Sequence, residues 1–146
     1  MGQLGRFGLG YEIASKNRPK VHEFSIASEI WRSVSQAAAE HKARRVRSIA
    51  VEVGSLNLIE DEQLRFWVQA LAEREGSPGV ELKITHIPAR IACRSCGEHS
   101  DIAPSASSHP HFIKPGMSCP ACTSSDVRVS GGRELRVVTA EIETED

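Results

Sequence analysis

The sequence predicts an α+β fold in which two helices pack on a three-stranded mixed sheet and a small cysteine-containing lobe precedes the last strand. Two segments repeat apolar residues every three or four positions, which is the spacing of an amphipathic helix. Three shorter segments alternate apolar and polar residues, which is the spacing of a half-buried strand. The only cysteines, four in number, lie between the second and third of these strand segments. A chain of 146 residues fits one ordinary domain with a small insertion.

The first helix is predicted over residues 24–45. Ser25 is its expected N-cap, because a serine hydroxyl can accept a hydrogen bond from a free backbone N–H of the first turn. Arg44 and Arg45 suit the negative end of the helix dipole. The residues expected on the apolar face are Ala27, Ile30, Trp31, Val34, Ala37, Ala38 and His41.

The second helix is predicted to begin at Asp61 as its N-cap and to end before Gly76. Its expected apolar face comprises Leu64, Trp67, Val68 and Leu71. The alternating segments predict strands over residues 47–53, 80–85 and 135–142. The last strand is expected to turn Val138, Ala140 and Ile142 inward, and a Gly131-Gly132 turn precedes it.

The cysteine pairs predict a tetrahedral zinc site made by Cys93, Cys96, Cys119 and Cys122. Two residues between paired cysteines let both sulfurs of one turn approach a single ion at about 2.3 Å. Gly97 follows the first pair, where the chain needs a positive φ. Two disulfides or a redox pair are the alternatives. Disulfides need an oxidising compartment and no signal peptide is visible, while a redox pair needs no second copy.

These patterns divide the chain after residue 20 into two domains. Residues 21–88 and 131–146 form the predicted α+β domain, and residues 89–130 form a predicted zinc-ribbon-like domain. The zinc-binding lobe is poor in apolar residues. Its stability is therefore expected to come from the ion, whose binding contributes roughly 10 to 16 kcal/mol in small zinc modules.

Residues 1–20 show neither helical nor strand periodicity, and a flexible N-terminal extension is predicted there. A targeting peptide is an alternative, but the segment lacks an apolar core and a dense cationic pattern. A start at Val21 is the simpler account, because a valine codon of the GTG type can initiate translation in prokaryotes and is then read as methionine. On that hypothesis residues 1–20 lie upstream of the true start.

Composition narrows the classes of partner. The net charge is -1 with 25% charged residues, so the chain lacks the basic excess that sequence-independent nucleic-acid binding requires. No apolar run approaches the roughly 18 to 20 residues needed to span a bilayer. Reduced cysteines fit the cytoplasm. The sequence therefore predicts a cytoplasmic protein with neither nucleic acid nor membrane as partner, and it leaves monomer and homodimer open.

Several segments together carry a family resemblance. They are Val21-His22-Glu23-Phe24-Ser25-Ile26, Val53-Gly54-Ser55-Leu56, Ile59-Glu60-Asp61-Glu62-Gln63-Leu64-Arg65-Phe66, the two cysteine pairs and Gly132-Arg133-Glu134-Leu135. The chain resembles the HypA/HybF hydrogenase nickel-incorporation proteins from residue 21 to about residue 143. Cysteine pairs occur in many zinc ribbons, whereas the His-Glu opening ahead of them makes the match specific.

The resemblance implies a nickel metallochaperone, not an enzyme, with a structural zinc site and a separate nickel site. The family builds its nickel site on a Met-His-Glu start, using the imidazole, local backbone nitrogens and the terminal amine. His22 and Glu23 match this pattern, and Val21 would supply an amine or amide nitrogen. Glu60 occupies the place of an acid near the site in relatives. Without the family, His22 and Glu23 could simply precede a helix, with Glu23 complementing its dipole.

The ligand chemistry agrees with two separate sites. Four thiolates form a closed tetrahedral site that suits zinc, whereas nitrogen and oxygen donors in a flat array suit Ni(II). Archaeal-type members of the family carry a His-Phe-Ile-Pro-like run between the cysteine pairs, and its histidine joins the nickel site. In the similar run of residues 108–115, His111 is the best match and His109 is the second candidate. An exposed proline-rich loop without a metal role is the alternative.

The resemblance also implies partners. In relatives, nickel passes to the [NiFe]-hydrogenase large-subunit precursor together with the HypB GTPase, and some members serve urease maturation proteins. Nickel affinity is expected to fall as the pH drops through the histidine range near 6.5. A zinc-ribbon module that binds nucleic acid or protein is the alternative function. Catalytic zinc would need an open coordination position, which four cysteine ligands do not leave.

Overall fold

The computed structural model describes residues 3–13, 23–57, 59–102 and 118–145. These residues form two helices and seven strands. In chain order the elements are β1 (Gln3–Glu12), α1 (Glu23–Glu40), β2 (Ala43–Gly54), α2 (Asp61–Arg74), β3 (Glu81–Ile87), β4 (Ala89–Cys93), β5 (His99–Ile102), β6 (Val127–Gly131) and β7 (Leu135–Thr144).

The strands form two sheets. One has four strands in the order β1-β7-β2-β3, and the other has three in the order β5-β4-β6. The chain divides into two compact units: Met1–Glu52, Ile59–Thr85 and Leu135–Asp146 make the first, and Val53–Leu58 and His86–Glu134 make the second. The predicted α+β class with a cysteine-containing lobe before the last strand is confirmed, but the predicted count of three strands is wrong because β1 adds a fourth strand to that sheet. The second unit also includes residues 53–58, which the sequence patterns placed in the α+β domain.

The core of the first unit lies under the apolar faces of the two helices, which pack against each other. The buried residues are Ile26, Ala27, Ile30, Trp31, Val34 and Ala38 of α1, and Leu64, Val68 and Ala72 of α2. Both faces follow the predicted periodicity, although Ala37, Trp67 and Leu71 are only partly buried. His41, predicted on the first face, is exposed and lies beyond the end of α1. Trp31 is 4% exposed, and its indole N–H donates a hydrogen bond to Glu75 at the end of α2. Neither helix of the described chain is long and apolar enough to cross a membrane.

The first helix is shorter than predicted, and because it begins at Glu23, Ser25 lies inside its first turn and is not the N-cap. It ends at Glu40, and Lys42 takes a left-handed conformation with φ 55°, so the expected continuation to residue 45 is wrong. Arg44 and Arg45, predicted at the end of the helix, lie instead on β2. On this strand Arg45 and Arg47 pair with the Glu143 carboxylate at 2.8 and 3.3 Å. These cross-strand ion pairs connect residues distant in sequence, so no local pattern could have revealed them.

The N-terminal strand was not expected. Gln3–Glu12 forms β1, which pairs antiparallel with β7, so the predicted flexible extension is wrong for these residues. Residues 14–20 lie outside the described chain. β1 is an edge strand without a buried residue of its own, and the core residue Ile13 directly follows it. Because neither face of β1 is buried, its sequence lacks the alternation by which strands are recognised.

The inner face of β7 differs from the prediction by one residue near its middle. Val137 and Ala140 are buried, whereas Val138 is partly exposed. The pairing of β1 with β7 shifts register between Gly8 and Tyr11, opposite this region. Such an irregularity re-aims the side chains of a strand, so simple alternation fails across it.

Two glycines allow close backbone contact within the second unit. A Cβ on Gly54 would lie 2.2 Å from the carbonyl oxygen of Gly132. A Cβ on Gly132, where φ is +107°, would lie 2.7 Å from the Cα of Ala89. The backbone N–H of Gly54 donates to the Glu134 carbonyl at 2.6 Å, and that of Leu56 donates to the Gly132 carbonyl at 2.8 Å. No larger residue fits at either glycine without moving backbone.

Candidate metal centre

The first cysteine turn is shaped by its own backbone. β4 ends at Cys93, and the N–H of Gly97 donates to the Cys93 carbonyl at 3.0 Å. The N–H of Ser95 points at the Cys93 sulfur, 3.3 Å away. Gly97 has φ 79°, as expected for the residue that leaves such a turn. The turn thus presents the Cys93 sulfur as an acceptor and allows Cys96 to lie beside it.

The second cysteine turn repeats this geometry. The N–H of Thr123 donates to the Cys119 carbonyl at 2.8 Å, and the N–H of Ala121 lies 3.3 Å from the Cys119 sulfur. Thr123 holds the position that Gly97 holds in the first turn, with φ 64°. A threonine rarely adopts this conformation, so the turn is retained by its hydrogen bonds.

The four sulfurs converge on one point. All four lie within 4.8 Å of one another. The sulfurs of Cys93 and Cys122 are 3.5 Å apart, and those of Cys96 and Cys119 are 3.7 Å apart. Four sulfurs about 2.3 Å from a tetrahedral ion would be separated by about 3.8 Å, so the cluster has the size that such an ion requires. The predicted Cys₄ cluster is therefore a site that could hold a metal.

The thiols also influence one another's protonation. The backbone N–H of Cys96 stabilises the thiolate of Cys93 and, despite opposing burial, helps lower the pKa of Cys93 to about 6. At Cys96 the backbone N–H of Glu98 favours the thiolate. Burial and the three neighbouring thiols outweigh it and raise the pKa of Cys96 to about 12. A single thiolate forms readily, and a cation among the sulfurs would favour the loss of the remaining protons.

Polar contacts connect the two cysteine turns beyond the sulfurs. The hydroxyl groups of Ser95 and Ser124 are 2.8 Å apart, and the N–H of Arg94 donates to the Asp126 carbonyl at 2.9 Å. Sequence reasoning missed both serines, because a serine beside a cysteine turn is too common to indicate a contact. They help hold the two halves of the cluster together.

The predicted nickel residues fall into two groups. Val21, His22 and His111 lie outside the described residues, as does the second candidate His109. Glu23 is the first residue of α1, and its carboxylate oxygen Oε1 accepts a hydrogen bond from the backbone N–H of Glu60 at 3.2 Å.

The fold therefore brings together the two predicted acids, which are 37 positions apart in sequence. Sequence reasoning named both residues but did not predict that one would bind the backbone of the other. Glu60 itself is exposed. Both acids thus lie at the starts of the two helices, and Glu23 directly follows His22 in the sequence.

The fold and the sulfur cluster define a metal-binding α+β protein with a four-cysteine lobe. The chain belongs to the HypA family: the sequence model described as "Hydrogenase/urease nickel incorporation, metallochaperone, hypA" matches residues 21–142. This is a family of metallochaperones and not of enzymes. The resemblance inferred from the sequence is confirmed.

Individual relatives agree with the family assignment. A protein named hydrogenase maturation factor HypA from Methanothermobacter thermautotrophicus is 34% identical over 126 residues, covering 86% of this chain and 100% of the relative. One of the same name from Methanocella arvoryzae is 36% identical over 123 residues, covering 84% of this chain and 99% of the relative.

Solved structures support the fold. A solution structure of a HypA protein has a TM-score of 0.61 at 18% identity, covering 85% of this chain and 98% of its own. The solution structure of the Ni metallochaperone HypA from Helicobacter pylori has a TM-score of 0.55 at 20% identity, covering 86% and 100%. At these identities the likeness concerns the fold alone.

Proposed function

We propose that this protein carries Ni(II) during hydrogenase maturation, binding it beside the start of α1 and releasing it to the large-subunit precursor of a [NiFe]-hydrogenase. The main observation behind the proposal is the position at which the family match begins. It opens at Val21, the first residue of the Val21-His22-Glu23 sequence, in a family described by nickel incorporation. His22 would supply an imidazole, Val21 an amine or amide nitrogen, and Glu23 a carboxylate.

The described part of this region supports a site that can release its metal. Glu23 is only partly buried and Glu60 is exposed. Nitrogen and carboxylate donors suit Ni(II), and a partner can reach donors that lie at the surface. Glu60 would add a second acid near the ion, and His111 would add a further imidazole. Nickel is the cargo here, so the site needs reversible binding.

The Cys₄ cluster has a different proposed role, which is to hold a structural Zn²⁺ ion. Four thiolates fill a tetrahedral shell and leave no position for a substrate. Two of the cysteines, Cys93 and Cys119, are buried at 4% and 2% exposure, whereas Cys96 and Cys122 are exposed, so the protein covers one side of the cluster. When bound, zinc would supply folding free energy to the second unit.

The proposed setting is the cytoplasm, where thiolates stay reduced. The HypB GTPase would act with this protein in transfer to the hydrogenase large subunit, and urease maturation proteins are further candidate recipients. These partners are inferred from the family. Measuring which candidate recipient gains nickel from this protein would test them.

The variant His22→Ala tests the nickel site. We expect its Ni(II) affinity, measured by calorimetry at pH 7.5, to fall at least tenfold while one equivalent of zinc remains by elemental analysis. The matched control is His41→Ala, because His41 is exposed and stacks on Phe7 with ring centroids 4.6 Å apart. In cells, hydrogenase activity lost with His22→Ala should return when excess nickel is supplied. Equal nickel affinities of the two variants would reject the proposed ligand.

A further inference from the structure

Three aromatic rings form a continuous patch at the surface of the first unit. The ring of Trp67 contacts Phe24 and Phe66 in edge-to-face geometry, with centroids 5.0 Å apart in each case. Phe24 is 48% exposed and Phe66 is 57% exposed. The patch joins the first turn of α1 to the first half of α2. We call Phe24, Phe66 and Trp67 the aromatic patch.

The exposure of these rings is unfavourable for an isolated protein. Large apolar side chains bury most of their area when the fold allows it, and contiguous exposed aromatic groups mark interaction surfaces. Leu4 and Tyr11 are also exposed, but both lie on β1. The aromatic patch is distinct in that its three rings contact one another, so a single partner could cover them together.

Acidic residues surround the patch. Glu23 precedes Phe24, and Glu62 lies one helical turn before Phe66 on the same face of α2. The side chain of Glu62 is 83% exposed and pairs with Arg65 at 3.0 Å. Glu60 is exposed at the start of the same helix. Among these described residues there are three acids and one base, so together they carry a net negative charge.

We propose that the aromatic patch is a docking surface for a protein segment in which apolar side chains are flanked by lysine or arginine. The rings would be covered by the apolar side chains, and the acids would pair with the bases. Charge complementarity determines the choice of partner, because the same acids would repel nucleic acid and anionic lipid. The inference goes beyond nickel binding and does not depend on it.

A pair of synthetic peptides tests the docking surface. One is an amphipathic 16-residue helix of leucine and lysine, and the other carries glutamate in place of every lysine. The chain has only two tryptophans, Trp31 and Trp67, so each indole N–H signal in a nitrogen-15 spectrum reports one position. We expect the lysine peptide to shift the Trp67 signal saturably and to leave that of buried Trp31 unchanged. The glutamate peptide should bind at least tenfold more weakly.

Substitutions then locate the binding. The double variant Phe24→Ser, Phe66→Ser should lower the affinity for the lysine peptide at least tenfold. Leu4→Ser, which removes an exposed apolar residue on β1, should change its affinity less than twofold. If the double variant does not fold, Phe66→Ser alone serves, because more than half of that side chain is already exposed. No saturable shift, equal binding of both peptides, or an unaffected Phe66→Ser variant would overturn the proposal.

Discussion

The carboxylate of Glu23 accepts a hydrogen bond from the backbone N–H of Glu60 at 3.2 Å, and this contact joins the starts of the two helices. Glu60 is the N-cap residue of α2, and its own side chain makes no capping bond. The N–H of an N-cap residue is often satisfied by a glutamate or glutamine three residues later. Here a glutamate of α1 accepts the hydrogen bond from that N–H instead. The sequence had suggested Asp61, and not Glu60, as the N-cap residue.

The first prediction concerns this bond. Glu23→Ala should lower the free energy of unfolding by about 0.5 to 1 kcal/mol, because the N–H of Glu60 loses its protein acceptor. Glu23→Gln should cost less, since an amide oxygen also accepts a hydrogen bond. Urea unfolding followed by circular dichroism measures both. Glu40→Ala, at the exposed last residue of α1, is the control, and an equal loss in that variant would mean that the bond adds no stability.

The sequence predicted the cysteine cluster more fully than any other site, and the reason is that its geometry is local. Each Cys-x-x-Cys turn is fixed by bonds within a few residues, such as Gly97 N–H to the Cys93 carbonyl. The contact between Glu23 and Glu60 spans 37 positions, and it depends on how α1 packs against α2. No rule of residue spacing predicts a contact of this kind. The identity of each acid could be read from the sequence, but the bond between them could not.

The strand β1 shows a second limit of sequence reading. It pairs with β7 through backbone groups. Its side chains also make contacts that the sequence pattern does not predict. Arg6 pairs with Glu141 at 2.7 Å, and Phe7 stacks on His41. The helix faces and β2, by contrast, followed their periodicity because burial selects apolar residues at regular intervals. Prediction succeeded at the two helices and β2, where one face is buried, and failed at β1, where neither face is buried.

The second prediction concerns metal removal. Cys119→Ser should lose the single zinc equivalent and unfold the second unit, because the ion is the proposed source of that unit's stability. Elemental analysis gives the metal content, and nitrogen-15 spectra report which amides lose their dispersed signals. Ser95→Ala keeps all four sulfurs and removes only the contact with Ser124, so it should retain the metal. A Cys119→Ser protein with unchanged spectra would show that the unit folds without the ion.

The third prediction concerns acid stability. A hydrogen bond from Arg6, assisted by Lys83 and Arg47, lowers the pKa of Glu141. Burial opposes ionisation of Glu143, but the hydrogen bonds and charges of Arg45 and Arg47 outweigh it, so its pKa is lowered as well. An unfolded glutamate has a pKa of about 4.3. This stabilisation is therefore complete above that value and is lost as the pH falls through the lower folded values.

Urea midpoints measured from pH 7 to pH 3 test the pH dependence. The wild-type midpoint should fall below about pH 4.5, and Glu143→Gln should have a lower midpoint at pH 7 with a smaller fall. Because both proteins keep the cysteine cluster, their difference isolates the carboxylate. The control Glu73→Gln, at an exposed position of α2, should reproduce the wild-type curve. Parallel curves for wild type and Glu143→Gln would contradict the assignment.

The last prediction concerns the close contact at Gly132. With φ at +107°, an alanine there costs about 1 to 2 kcal/mol in backbone strain alone, and its Cβ would lie 2.7 Å from the Cα of Ala89. Backbone cannot yield as a flexible side chain does, so Gly132→Ala should destabilise the second unit by roughly 3 kcal/mol or more. Gly97→Ala shares the positive φ, but nothing lies within 4 Å of its added Cβ. It should therefore cost only the strain. Thermal unfolding of the metal-loaded proteins compares the two, and equal losses would show that the contact with Ala89 relaxes without cost.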